Sequence, residues 1–452
     1  MSKEILSIKA WAGAKQLPLR EMEWDGVLGK EASLFLNTKQ MKTILQRDFD
    51  NRSWDFMRIA AAVYAADRNT KRPAKRGNDS WLRRIRIEFP VKEPDFWNSN
   101  TTKRLMSDAL SFLTGDDWSF KFNATQNCSH QASLQFGSRK QAKYFLYSGG
   151  LDSAAGLVKY AHEQPNDSVY PLLIGHRTNM SSKVNKQVER IRFIFPNVQP
   201  AIDVPFRMSK PLSEERSQRS RNFLFLVIAG VAAGKHVGDS VLVGENGVGA
   251  INMPLSTLMI STMATRGTHP TFLGKMAALS SHVLGRRLDY SLPHLHRTKG
   301  ELVGALKEHD LADIAALTFS CSHPLHVKIA DQCGQCPACI FRRHSLWIAG
   351  ITDPGDRYQH RLFDTESTAL TSDAKEAMCN FLEMIDRVEE SGKQDTIDWI
   401  ANHCEATGMT ATPSVYELFK RYRLEWLAFC EAAQRERWSW GGFQMPSRNE
   451  SP

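Results

Sequence analysis

Along Leu82–Phe89 polar and apolar residues alternate, with Ile85, Ile87 and Phe89 on one side. That is the period of a strand with one buried face. Ile5–Ala10, Ser33–Leu36 and Trp118–Phe122 are read as further strands of the same region. Between them the period changes. Over Trp54–Asp67 the apolar residues Phe56, Ile59, Ala60, Val63 and Tyr64 recur at helical spacing, and Leu105–Leu113 reads as a second helix. Residues 1–140 are therefore expected to form a small α+β unit, with the basic, proline-bearing stretch Arg68–Arg76 as a solvated loop.

Past residue 140 the pattern becomes short, continuous apolar runs: Tyr144–Tyr147, Tyr170–Ile174, Gln199–Val204 and Ser240–Val243. Helical stretches lie between them at Ala154–His162, Lys183–Phe195 and Asn222–His236. Strands that lack alternation and are separated by helices predict βαβ units and a parallel sheet. Thr298 and Glu301 make a capping box that opens a further helix. From 351 to 452 the pattern is helical, with amphipathic stretches at Lys375–Glu389, Thr396–Cys404 and Val415–Arg435 that place Trp399 and Trp426 on apolar faces. The predicted organisation is thus an α/β domain at 141–350, flanked by the N-terminal unit and a C-terminal helical region.

Composition changes this picture little. A chain of 452 residues, 42% hydrophobic and 10% aromatic, is expected to be globular, with no internal repeat. The longest apolar run, Phe223–Ala233, is about half a membrane span. Met1–Ala10 lacks the pattern of a signal peptide, so a cytoplasmic location without a membrane partner is expected. A net charge of +9 permits a nucleic-acid partner without favouring one.

Two segments carry chemistry. The first is Ser148-Gly149-Gly150-Leu151-Asp152-Ser153, between a predicted strand and a predicted helix. The glycines let the backbone approach an anion, and loop and helix N-terminal amides with two hydroxyls supply donors. Asp152 among phosphates calls for Mg2+ or a structural hydrogen bond. The second segment is a cysteine cluster. Of eight cysteines, Cys321, Cys333, Cys336 and Cys339 crowd together, the last three as C-x2-C-x2-C. Four thiolates at these spacings suit a closed, structural Zn2+ site. An iron–sulfur cluster and unligated thiols are the alternatives.

The hexapeptide matches the SGGxDS signature of the PP-loop ATP pyrophosphatases. The order of motifs further resembles the QueC family, the 7-cyano-7-deazaguanine synthases. The resemblance rests on Arg221-Asn222-Phe223, Thr298-Lys299, Thr318-Phe319-Ser320-Cys321, CGQCPAC and Arg342. It covers about 141–350. The segments Ala60–Arg68 and Phe112–Phe122, with the larger layout, resemble the QueC-like QatC proteins of the bacterial Qat anti-phage system. Gly244–Leu255 and His269-Pro270 depart from the small QueC pattern.

The resemblance implies a Rossmann-like PP-loop core and ATP cleaved between its α and β phosphates. It also implies a 7-carboxy-7-deazaguanine carboxylate activated as its adenylate. The acceptor would be ammonia or an amine of a protein partner from the same defence operon. Ser148, Gly149, Gly150, Leu151, Asp152 and Ser153 are assigned to ATP and Mg2+, with His176 (beside Arg177) near adenine or ribose. Lys299 would neutralise phosphate charge or be a solvated helix-start lysine. Arg221 would hold a phosphate or the substrate carboxylate, or cap a helix at the surface. Asp152, Lys299 and Arg221 form the expected catalytic set. Asn222, Glu245 and Asn246 are expected to contact substrate, Asn222 alternatively pinning its helix. Arg342 and Arg343 face phosphate or form salt bridges; no catalytic role is expected for His269, His294 or His296. A tRNA-modifying PP-loop enzyme and a nucleotide-sensing adaptor are the rival readings.

Overall fold

A computed structural model describes residues 4–12, 15–16, 20–24, 34–45, 49–72, 82–125, 142–175, 178–208, 218–234, 238–253, 266–321, 332–361 and 393–438, with a few isolated positions between them. The first part holds strands β1 (Glu4–Ala12), β2 (Lys15–Gln16), β3 (Arg20–Trp24), β4 (Leu34–Leu36), β5 (Arg83–Val91) and β6 (Asp117–Ala124). Its helices are α1 (Lys39–Leu45), α2 (Asn51–Asn69), α3 (Pro94–Asn98) and α4 (Asn100–Thr114). On β5 burial alternates residue by residue, as the sequence period requires.

The second part begins with β7 (Ala142–Leu146), α5 (Leu151–Glu163), β8 (Ser168–Ile174), α6 (Thr178–Ile194), β9 (Ile202–Val204) and β10 (Phe206–Met208). It continues through α7 (Arg221–Ala233), β11 (Ser240–Val243), α8 (Gly247–Ile251), α9 (Pro270–Leu284), β12 (Asp289–Ser291), α10 (Lys299–Glu308), α11 (Ala312–Leu317) and α12 (Pro337–Ile348). The helices α13 (Lys393–Ala406) and α14 (Pro413–Arg435) follow. The predicted helix Lys375–Glu389 lies largely outside the described residues.

Two sheets result. The first runs β10-β4-β3-β1-β5-β6, with β2 on β1, and mixes antiparallel with parallel pairs. Its end strand β10 comes from beyond β9 and pairs with β4 through Phe206–Leu36 and Met208–Leu34. The second sheet has the order β12-β11-β7-β8-β9 and every pair is parallel. This is the expected α/β core.

One apolar core fills the space between the sheets. It joins Ile87 and Phe89 of β5, Phe56 and Ile59 of α2, Val227 of α7, Met276 of α9, and Tyr144 and Val241 of the parallel sheet. Helices α2 and α4 pack on α7 and α9, which in turn cover one face of that sheet. Its other face, with Phe145, Leu173 and Leu242, is covered by α5, α6 and α10. A third core gathers α8, α12, α13 and α14 around Trp426 and Phe429.

A buried ion network crosses the interior core. Arg83, fully inaccessible, meets Asp67 and Asp116 at 2.6 Å each, and Arg72 meets Asp116 at 2.7 Å. The second Asp67 oxygen accepts from the amide and hydroxyl of Ser220, the residue before α7. Burial alone would raise the Asp116 carboxyl, but Arg83 and Arg72 hold it below its ordinary range. Among the described residues no helix is long and apolar enough to cross a membrane.

Candidate active site

In the parallel sheet β8 and β9 lie on one side of β7, and β11 and β12 on the other. Chains leaving β7 and β11 therefore diverge to opposite faces, and a crevice opens at the carboxyl ends of these strands. The hexapeptide follows β7, Glu245 and Asn246 follow β11, and Lys299 stands on the segment after β12. Three adjacent strand ends thus deliver their side chains to one place.

The loop has the form its sequence demands. Gly149 sits at φ +73°, and a Cβ there would lie 2.5 Å from Val184 Cγ2, so glycine is required on both counts. Ser148 Oγ accepts from the Gly150 amide at 3.3 Å and lies 3.1 Å from Ser153 Oγ, which donates to the Gly150 carbonyl at 2.9 Å. Gly150 is the N-cap of α5 and offers no side-chain acceptor. The first amides of a helix have no partner within it, and this donor set suits an anion. Leu151 contributes backbone only, its side chain being buried in the second core.

Asp152, in the first turn of α5, is the hub. Lys299 Nζ lies 2.8 Å from its Oδ2, and Asn246 Nδ2 donates to its Oδ1 at 2.9 Å. The same Nδ2 reaches Glu245 Oε1 at 2.9 Å, while Asn246 Oδ1 accepts from the Gly249 amide and caps α8. Two carboxylates, one ammonium and one amide are thus tied together. Desolvation, and then the neighbouring Asp152 charge, push Glu245 up to about 8, with Lys299 pulling the other way.

The cysteine cluster adjoins this loop. Cys321, Cys333, Cys336 and Cys339 are all buried, and their sulfurs lie within 4.8 Å of one another. The Cys333–Cys339 separation is 3.8 Å, about the edge of a tetrahedron with zinc–sulfur bonds of ~2.3 Å. Contact with Cys321 lowers the Cys333 thiol to about 6, while the neighbouring thiols push Cys321 and Cys339 up. Four packed thiols compete for charge in this way, and a divalent cation would relieve the competition. The chemistry and spacing of the set fit zinc. Two residues before Cys321, the Phe319 amide donates to the Gly149 carbonyl at 3.3 Å.

Other candidates lie apart. Arg221 is exposed, its partners being Gln218 at 3.3 Å and the Phe225 ring at 5.6 Å. Asn222 packs against Gly267. Neither touches the Asp152 group. His176 and Arg177 fall outside the described residues. Arg342 is fully buried and donates to Tyr358 at 2.9 Å, Thr318 at 2.6 Å and the Ala315 carbonyl at 2.7 Å, so it braces the cysteine segment rather than facing phosphate. Arg343 stacks on the Tyr358 ring at 4.8 Å.

The sequence reading missed Gln187. It is fully buried on α6, accepts from Tyr147 Oη at 2.7 Å, and donates to the carbonyls of Gly149 at 3.3 Å and Leu317 at 2.8 Å. Its signal was a lone amide between the apolar positions Val184, Val188 and Ile191.

No family model matches the chain. The chain is 27% identical over 234 residues to 7-cyano-7-deazaguanine synthase 1 of Mesorhizobium japonicum, covering 47% of this chain and 91% of that protein. It is a distant relative of the 7-cyano-7-deazaguanine synthases. The synthase of Rhizobium meliloti is 27% identical over 228 residues, 46% of this chain and 89% of its own. That of Brucella canis is 29% identical over 138 residues, 30% of this chain and about half, 51%, of its own length. The five-stranded parallel core agrees with a QueC-like PP-loop fold. More than half of this chain lies beyond each match.

Proposed function

We propose that this chain is a QueC-like, ATP-dependent carbon–nitrogen ligase that activates a 7-deazaguanine carboxylate. The observation carrying this reading is the Asp152–Lys299–Asn246–Glu245 group beside a glycine loop at the sheet's divergence point. Loop and helix amides would receive the β and γ phosphates of ATP. The substrate carboxylate oxygen attacks the α phosphorus, the bond from that phosphorus to the bridging oxygen breaks, and pyrophosphate leaves. Lys299 offsets the charge that builds on the departing phosphates. Asp152 offers the carboxylate oxygen that Mg2+ prefers, and bound Mg2+ would screen phosphate charge. Zn2+ in the cysteine cluster would have no open position and serve structure alone.

An amine then attacks the acyl carbon of the adenylate, AMP departs, and the nitrogen loses a proton. Glu245, ionising near pH 8, suits that proton. Ammonia fits a small-molecule product. The residues beyond the match favour a larger acceptor, the N-terminus of a protein partner, as in a QatC-type role in anti-phage defence. The Asn222 and Arg221 side chains open α7 on the neighbouring side of the sheet and would contact substrate only with movement, and His176 is kept as the candidate near adenine.

The test is pyrophosphate release with ATP and 7-carboxy-7-deazaguanine. Wild type should release it and Asp152→Ala should not; release without the acid, or survival in the variant, rejects the reading. Adding tRNA and a sulfur donor should leave the rate unchanged. Mass spectrometry of the operon's other proteins, with and without this chain, should reveal a deazaguanine adduct if the acceptor is a protein. Purified protein should hold about one zinc per chain, and Cys336→Ser should lose it.

A further inference from the structure

Helix α14 reaches the active-site lysine through its neighbours. Lys299 is the first residue of α10, and its N-cap Thr298 forms a complete capping box with Glu301. Each side chain of that box is also held from α14. Thr298 Oγ1 donates to Glu425 Oε1. Arg421 Nε donates to Glu301 Oε1 at 2.6 Å, and its Nη2 donates to the His296 carbonyl at 2.7 Å. Between the two lies Gly300, where a Cβ would stand 2.8 Å from Glu425 Oε1 and 2.5 Å from Ile348, so the glycine admits the α14 carboxylate. The same helix packs on α8, which Asn246 caps, and stacks Trp426 on His344 of α12 at 4.1 Å. It therefore braces the elements on either side of the Asp152 group.

A lysine side chain has four rotatable bonds and is placed only as well as its backbone is held. We propose that α14 is a positioning element for Lys299: through Glu425 and Arg421 it fixes the capping box that aims the Lys299 ammonium at Asp152. Glu425 and Arg421 touch no reacting atom in this account. That Lys299 serves phosphate chemistry rests on the function proposed above; that α14 sets its position does not.

The test uses Glu425→Leu, which removes the acceptor, and Arg421→Ala in the full chain. Lysine acetylation by acetic anhydride is read by peptide mass spectrometry, with the exposed Lys121 as internal reference. Lys299, 13% exposed and paired, should label several-fold faster in either variant. This readout needs no turnover. In parallel, kcat for pyrophosphate release should fall about tenfold or more while KM for ATP stays within about threefold. In a Lys299→Ala background Glu425→Leu should cost nothing further, because the two act as one unit. Unchanged Lys299 labelling in both folded variants overturns the proposal, as does an equal loss of rate in the Lys299→Ala background. Arg421 is 40% exposed, so its variant carries the test if Glu425→Leu does not fold. Absence of any pyrophosphate release would sink the functional reading and leave the labelling result to judge α14.

Discussion

Two clusters of paired opposite charges, one around Arg83 and one around Asp152, differ in how far they are sealed. Around Arg83 every partner is sealed: Asp67, Asp116 and Arg83 have no exposed side-chain surface, and Arg83 also reaches the Asp67 and Thr70 carbonyls. Around Asp152 the pair keeps an opening, with the Asp152 side chain 24% exposed, and an adjoining glutamate is held partly in its neutral form. A sealed network gives a ligand no entry and belongs to structure. An open one, at the carboxyl ends of parallel strands, has room for chemistry. Ion pairs alone do not separate the two; access from solvent does.

The contrast can be broken by mutation. Arg83→Leu removes the partner shared by two buried aspartates and should cost about 3–5 kcal/mol in denaturant unfolding, far more than any change at the open cluster. Asp152→Asn should lower pyrophosphate release by about 10²–10³-fold, with a melting temperature near that of wild type. Equal losses of stability from both variants would erase the distinction. Gln187→Leu should raise KM for ATP by about tenfold, the worth of one or two buried hydrogen bonds to the loop. The smallest effect concerns Glu245. Its carboxyl is raised from 4.5 to about 8 in the folded chain. The folded state thus binds the proton more tightly, and ionisation costs stability as pH rises across that interval. Glu245→Gln should melt about 2 °C or more above wild type at pH 9 and match it near pH 4. In the same variant the amide-forming step should lose its rise through pH 8, the carboxylate being the form that accepts a proton.

Much of this was legible in the chain. The alternation at Ile85, Ile87 and Phe89, the continuous runs at Tyr170–Ile174 and Ser240–Val243, and the Thr298–Glu301 box all became the elements they predicted. The hexapeptide, Lys299 and Asn246 meet, as strand ends in such a sheet must. Two short strands escaped, β10 and β12, each of three residues with the middle one differing in burial from its neighbours. So did α9, although its buried residues Phe272, Leu273, Met276, Leu279 and Val283 follow helical spacing. Of the two expectations for Arg342, phosphate contact or a salt bridge, the structure shows the second: the buried guanidinium lies 3.8 Å from Asp353 and also donates to Tyr358, Thr318 and Ala315. Gln187 was invisible because a single amide on an apolar face has no pattern of its own.

The crossing of β10 into the first sheet bears on how the protein can be handled. A polypeptide started at residue 142 would carry Phe206–Met208 without the strand it pairs with, and would present α7 bare of α2. Nicking the backbone between 125 and 142 should therefore leave both fragments co-eluting in gel filtration. The half that matches the small synthases should prove insoluble when expressed without the rest.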